Sequence, residues 1–185
     1  MKPRVQAKGA VAVFGGSFNP IHAGHVELIR KIQERFSFNP LYVVPCGIQP
    51  RKGALEHAPE ARLEMTSEAV REIAGVRVSD FEIQGAIKTT EPSYSLTTIK
   101  HFKDAHPGRC VFFILGEDAF AKIEGWHGFP EILSACGFIV VRRKGAGASE
   151  KARAVARAHP SALVRFVDLD LPAISASEIR AKRKI

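Results

Sequence analysis

A chain of 185 residues, 45% of them hydrophobic, is long enough to bury a core and too apolar for disorder. Its formal net charge of +8 points to anionic partners without naming them, since nucleic acid, a membrane surface and phosphorylated metabolites all qualify. No apolar run approaches the roughly 20 residues that span a bilayer, and three well-separated cysteines without a CxxC pair indicate neither a disulfide framework nor a zinc knuckle.

The start, "MKPRVQAKGAVAVF", has the outline of a secretory leader, but its apolar part runs into "GGSFNP" with no small-residue cleavage site. It therefore reads as a first strand, at 10–14, in a protein of the reducing cytoplasm. The loop "GGSFNPIHAGH" leads to a helix at 24–36, where Val26, Ile29, Ile32 and Phe36 keep a three-to-four spacing broken only by Gln33. A strand at 41–45 and the loop "PCGIQPRKGALEH" precede a helix at 58–74, with Pro59 suited to its first turn. Then come a strand at 76–81, a helix at 94–105 and a strand at 109–115. The loop "GEDAFAKIEGWHG" carries a short helix at 117–122, and another follows at 129–135. A strand at 137–142, a flexible loop "KGAGAS", a helix at 149–159 and a strand at 163–167 complete the alternation. The first, fourth and fifth strands are almost continuously apolar, as strands covered on both faces are. The expectation is a single domain over 1–185, an α/β doubly wound, Rossmann-like parallel sheet of about six strands with right-handed crossovers. In such sheets ligands bind beyond the carboxyl ends of the strands.

The loops at those ends carry the chemistry. Gly15 and Gly16 let a phosphate approach the main chain, and Gly24 and His25 stand where a helix begins and its free N–H groups favour an anion. His22 and His25, three apart, would point the same way and offer two imidazole donors to a phosphate. Zinc would need a third ligand, which nothing nearby supplies. The pattern is neither GxGxxG nor GxxxxGK[ST]. Near the other end, "ISASEIR" makes Ser175 an N-cap and Glu178 its capping-box partner, while Ser177 and Arg180 share a face that suits polyphosphate. The basic runs "VRRKG" and "RAKRK" have no interleaved aromatics and read as solvated surface as readily as a polymer-binding patch.

Together these segments resemble the nucleotidylyltransferases with HxGH and ISxSxIR-type motifs, and among them the bacterial nicotinate-mononucleotide adenylyltransferases. "GGSFNPIHAGH" is similar to GG[ST]F[DN]PxHxGH, "PSYS" at 92–95 to PSYT, "GEDAFAKIEGW" to GxD followed by tryptophan, and "VVRRKG" to VxRxG. With the late motif that makes five in order across nearly the whole chain. The resemblance implies that His22, His25 and Arg180 act on the ATP phosphates with Ser177. It implies ATP contacts for Gly15, Gly16, Ser17, Phe18 and Gly24, for Ser175 in the late motif, and for Asp118 at the adenosine ribose. It implies Trp126 stacked on a pyridine ring, Ser95 beside that ring, and Arg143 on the mononucleotide phosphate. The family's H[KR] pair after the second strand is "RK" here, so Arg51 replaces the histidine while Lys52 keeps the positive charge toward the mononucleotide.

The implied reaction is adenylyl transfer from ATP to nicotinate mononucleotide, releasing pyrophosphate and forming deamido-NAD. The attacking phosphate is already ionised, so alignment and charge stabilisation suffice without a general base. Mg2+ would be held mainly by the ATP phosphates and needs no carboxylate cage. The expected partners are ATP and the mononucleotide, without nucleic acid or membrane. Rival readings are transfer to nicotinamide mononucleotide or phosphopantetheine, a cytidylyl transfer, and a basic nucleic-acid-binding protein on the same fold.

Overall fold

The apolar runs after residues 10, 110 and 136 become three adjacent strands in the middle of one parallel sheet. The computed structural model describes residues 9–50, 55–145 and 147–183. In chain order its elements are β1 (Val11–Gly16), α1 (Ala23–Phe36), β2 (Leu41–Pro45), α2 (Pro59–Val70), β3 (Val76–Val78), α3 (Phe81–Thr89), α4 (Ser95–Ala105) and β4 (Val111–Gly116). There follow α5 (Glu117–Phe120), a 3-10 turn (Ile123–Gly125), α6 (Glu131–Ala135), β5 (Gly137–Arg143), α7 (Glu150–Ala158), β6 (Val164–Leu169) and α8 (Ala176–Arg183).

The sheet order is β3-β2-β1-β4-β5-β6, with every neighbouring pair parallel. Strand side chains alternate between faces, so β1 sends Ala12 and Phe14 to one core and Val11 and Val13 to the other. Leu28, Ile29 and Ile32 of α1 and Val70 of α2 close the first core. Ile99 and Phe102 of α4, Ile132 of α6 and Val155 of α7 close the second. This is the doubly wound α/β architecture expected. Strand order reverses between β1 and β4, which opens a crevice at their carboxyl ends.

The helix expected at 58–74 ends at Val70, and three further differences from expectation have physical reasons. The strand expected at 76–81 ends at Val78, and α3 occupies the residues beyond it. This helix is hard to read in sequence, because only Ile83 is buried and Gly85 sits at its centre. The helix expected at 117–122 is a single turn followed by the 3-10 turn. Finally, β1 runs through both glycines, pairing Gly15 with Val44 and Gly16 with Pro45. They serve as strand residues because aromatic rings take the place of side chains. A Cβ on Gly16 would lie 2.9 Å from the Phe18 ring, and one on Gly15 3.3 Å from Phe113.

Candidate active site

The site starts where β1 hands the chain to α1. His22 is extended and its carbonyl accepts from His25 N–H (2.8 Å) and Val26 N–H (3.2 Å), while its side chain makes no cap bond. The imidazole is thus free of the helix it begins. One turn on, the His25 ring stacks on it with centroids 3.8 Å apart and planes 25° from parallel. Gly24 permits this, since a Cβ there would meet the His22 ring at 3.1 Å. The Phe18 ring packs edge-on against His25 at 5.2 Å, and Phe18 itself is buried with a left-handed φ of 42°.

Both Nδ1 atoms are buried without a protein partner. Burial, then the neighbouring His22, then Arg143 depress His25 to about 4. Burial, and next Arg143, also lower His22. Both rings are therefore neutral near pH 7. An anion between them and Arg143 would reverse the repulsive part of that balance.

The late motif closes onto this loop. Ser175 N–H donates to Glu178 Oε2 (3.0 Å) and Glu178 N–H to Ser175 Oγ (3.2 Å), so the capping box forms as expected and occupies the Ser175 hydroxyl. Arg180 donates through Nη1 to the Asn19 carbonyl (2.6 Å) and through Nη2 to Ser177 Oγ (3.1 Å); its Nε lies 3.8 Å from Glu56 Oε2. Two motifs 161 residues apart in sequence are thereby in contact. Arg143, at the end of β5, donates to the Ile174 carbonyl (3.1 Å), and its charge acts on both imidazoles. It stands outside the lining of the cleft that holds Trp126.

That cleft, about 670 Å³, lies over the carboxyl ends of β1 and β4. Gly15, Gly16 and Ser17 line one side, and Ser95 and Trp126 the other. Trp126 is half-buried, edge-on to Phe113 at 6.3 Å. Asp118 is exposed just after β4, on the short helix α5. Lys52, and Arg51 beside it, lie outside the described residues.

Sequence reasoning missed several residues here. Tyr94 and His127 stack at 4.2 Å within the cleft lining. Each adjoins a residue that had been singled out, which was the available signal. Buried Glu117 accepts from Ser149 N–H (3.1 Å), tying the end of β4 to the start of α7. Glu82 lines the cleft and accepts from the Thr98 hydroxyl (2.6 Å), and burial raises its carboxyl above the usual range. Arg62 is 1% exposed. A charged residue on a helix reads as a solvent face, so neither Glu82 nor Arg62 announced itself. Among the described residues no three His, Cys, Asp or Glu side chains converge as a metal cage.

A family profile described as cytidylyltransferase-like matches residues 13–182, which spans every part of this site. The chain belongs to that family. Within the family it is 32% identical over 180 residues to a probable nicotinate-nucleotide adenylyltransferase of Clostridium botulinum, covering 94% of this chain and 86% of the relative. The corresponding protein of Clostridium acetobutylicum is 34% identical over 175 residues with the same coverage. A solved structure, Plasmodium falciparum nicotinic acid mononucleotide adenylyltransferase complexed with NaAD, superposes with a TM-score of 0.76 at 21% identity. It covers 94% of this chain and 83% of that one, and shares the fold. The same enzyme complexed with APC gives a TM-score of 0.74 at 20% identity.

Proposed function

We propose that the protein transfers the adenylyl group of ATP to nicotinate mononucleotide, releasing pyrophosphate. The observation that carries this reading is that Arg180, bonded to Ser177, grips the Asn19 carbonyl in the loop that leads into the stacked His22–His25 pair, at the switch point that also carries an aromatic-lined cleft. The names of the relatives favour the nicotinate acceptor.

In this reading an oxygen of the mononucleotide phosphate forms the new bond to the α-phosphorus, the bond from that phosphorus to the bridging oxygen breaks, and pyrophosphate leaves. No proton has to move, so the protein's work is alignment and charge neutralisation. His22 and His25 offer N–H donors to the triphosphate from the N-terminus of α1, where the helix dipole adds positive potential. Arg180 supplies a guanidinium from α8 with Ser177 beside it. The backbone of Gly15, Gly16, Ser17 and Phe18, and the space left at Gly24, admit the phosphates, with Ser175 holding α8 in place. Asp118 takes the ribose hydroxyls, and Trp126 with Ser95 brackets the pyridine ring. Arg143 brings its charge to the phosphates from the imidazole side, and Lys52 serves the mononucleotide phosphate.

The donor set around the imidazoles is cationic, which fits a triphosphate directly. Mg2+, where bound, would be held by the ATP phosphates with its own waters and would offset their charge. The whole chain, 1–185, then acts as one catalytic domain.

The test is pyrophosphate release with ATP and each acceptor in turn. We expect the highest kcat/KM with nicotinate mononucleotide. Equal constants for the nicotinamide form would remove the acid preference, and turnover only with phosphopantetheine would remove the pyridine reading. Salt-sensitive binding to nucleic acid without any turnover would favour a polymer-binding protein instead.

A further inference from the structure

Among the described residues Arg62 is the largest side chain to be wholly buried, at 1% exposure. Its guanidinium is spent on backbone carbonyls from three separate segments. Nη1 donates to Ser17 O (2.9 Å) in the loop after β1, Nη2 to Gly47 O (3.3 Å) in the loop after β2, and Nε to His57 O (3.3 Å) on the approach to α2. Nη1 also lies 3.8 Å from Cys46 Sγ. No carboxylate among the described residues comes within ion-pair distance of it. Burying a cation without a contact ion pair is costly, and an apolar residue of similar volume commonly serves stability as well or better. The guanidinium is therefore better explained by what its fork holds than by what it packs against.

What it holds is the phosphate loop. In a trans peptide the C=O and N–H point opposite ways, so anchoring the Ser17 carbonyl on Arg62 aims the Phe18 N–H in the other direction. No protein group among the described residues accepts from that N–H. Phe18 is also the residue held at φ 42°, a conformation that persists only where its surroundings impose it, and its ring supports His25. Arg180 grips the same loop from its other end, at the Asn19 carbonyl.

The second anchor leads to the acceptor side. Gly47 N–H donates to Ser93 Oγ (3.2 Å), and Ser93 N–H donates to Ile48 O (2.8 Å). Glu82 accepts from the Thr98 hydroxyl, and its carboxylate interacts with the Arg62 charge and with the polar groups of Ser93 and Gly47. Gly47 is wedged so tightly that a Cβ would lie 2.2 Å from the Glu82 carbonyl oxygen. The Ser93–Ser95 wall and the phosphate loop are thus linked through the bonds of one guanidinium.

We propose that Arg62 is a positioning residue for adenylyl transfer, orienting the Ser17–Phe18 peptide beside the imidazole pair and tying that loop to the acceptor cleft through Gly47, Ser93 and Glu82. The assignment rests on the adenylyl-transfer reading above. Arg62→Lys keeps the charge and loses the fork, and Arg62→Met keeps the volume alone. For both variants in the full chain, the number of sites is measured by calorimetric titration with a non-hydrolysable ATP analogue. Then kcat, both KM values and Tm follow. We expect Arg62→Lys to bind the analogue at the wild-type stoichiometry with kcat per site reduced about tenfold or more, since small misplacements of reacting groups are expensive. Arg62→Met should lose more, out of proportion to any change in Tm. A purely structural role predicts the opposite, with fewer competent sites, lower Tm and unchanged kcat per site, and that result overturns the proposal. Should Arg62→Met not fold, Arg62→Lys decides alone. A wild type inactive on ATP and nicotinate mononucleotide removes the reading and this assignment together. An active wild type beside an unimpaired Arg62→Lys removes only the assignment.

Discussion

His22 and His25 are neutral in the free protein and stacked on each other, so in the proposed reaction each would act as a fixed N–H donor and not as a standing cation. Removing one donor aimed at charge that develops in a transition state costs on the order of 10² to 10³ in rate. His22→Ala and His25→Ala should each lose kcat in that range while circular dichroism and Tm stay close to wild type; near-normal turnover by both would take the pair out of the mechanism. Acid makes a separate demand on His25. Its pKa falls from 6.5 to about 4 on folding, so above pH 6.5 neither state is protonated and its contribution to stability is whole. As pH drops from 6.5 toward 4 the unfolded chain takes the proton first, and stability declines. The Tm of the wild type should slope downward across that interval and that of His25→Gln less so. Bound phosphates attract the proton back, so ATP binding near pH 6 should be accompanied by proton uptake. Calorimetry in buffers of different ionisation heat measures it directly, and a buffer-independent heat would count against phosphates lying beside the imidazoles.

At the scale of elements, α8 has a formed cap and a proposed share in phosphate binding, which mutation can separate. Its capping box is complete, and losing such a cap costs about 1 kcal/mol. Ser175→Ala should therefore lower Tm by a few degrees with a modest effect on kcat. Arg180 contributes from a later turn, and its forked bonds to Asn19 O and Ser177 Oγ align it with the loop after β1. Arg180→Ala should raise the KM for ATP sharply with a small change in Tm, and Arg180→Lys should fall between it and wild type. Unchanged ATP kinetics in Arg180→Ala would leave α8 as a capped helix without a catalytic share. The end of β1 has a similar double role. Its glycines make room for the Phe113 and Phe18 rings, and Phe18 in turn supports His25, so packing and site geometry there share the same atoms.

Over the whole molecule, a net charge of +8 would attract the anionic substrates of the proposed reaction. Long-range attraction of this kind is screened over about 8 Å at physiological salt. Raising salt from low to physiological ionic strength should lower kcat/KM for ATP several-fold with little change in kcat; a salt-independent kcat/KM would mean the charge serves another purpose. The same scale separates what was legible in the sequence from what was not. Local patterns were sufficient for the strands and for most helices, because continuous apolar runs and three-to-four spacing record which faces meet the core. They failed at α3, whose single buried Ile83 leaves little pattern to read. Motif spacing singled out His22, His25, Ser177 and Arg180 as candidates, since each pair lies within one helical turn. What only the tertiary structure decided is how separate segments meet. That Arg180 reaches Asn19, that Arg143 acts on the imidazoles and stays out of the Trp126 cleft lining, and that Arg62 is buried against three loops all depend on the strand order. Burial of a polar side chain is set by neighbours from distant elements, and no periodicity along its own helix encodes them.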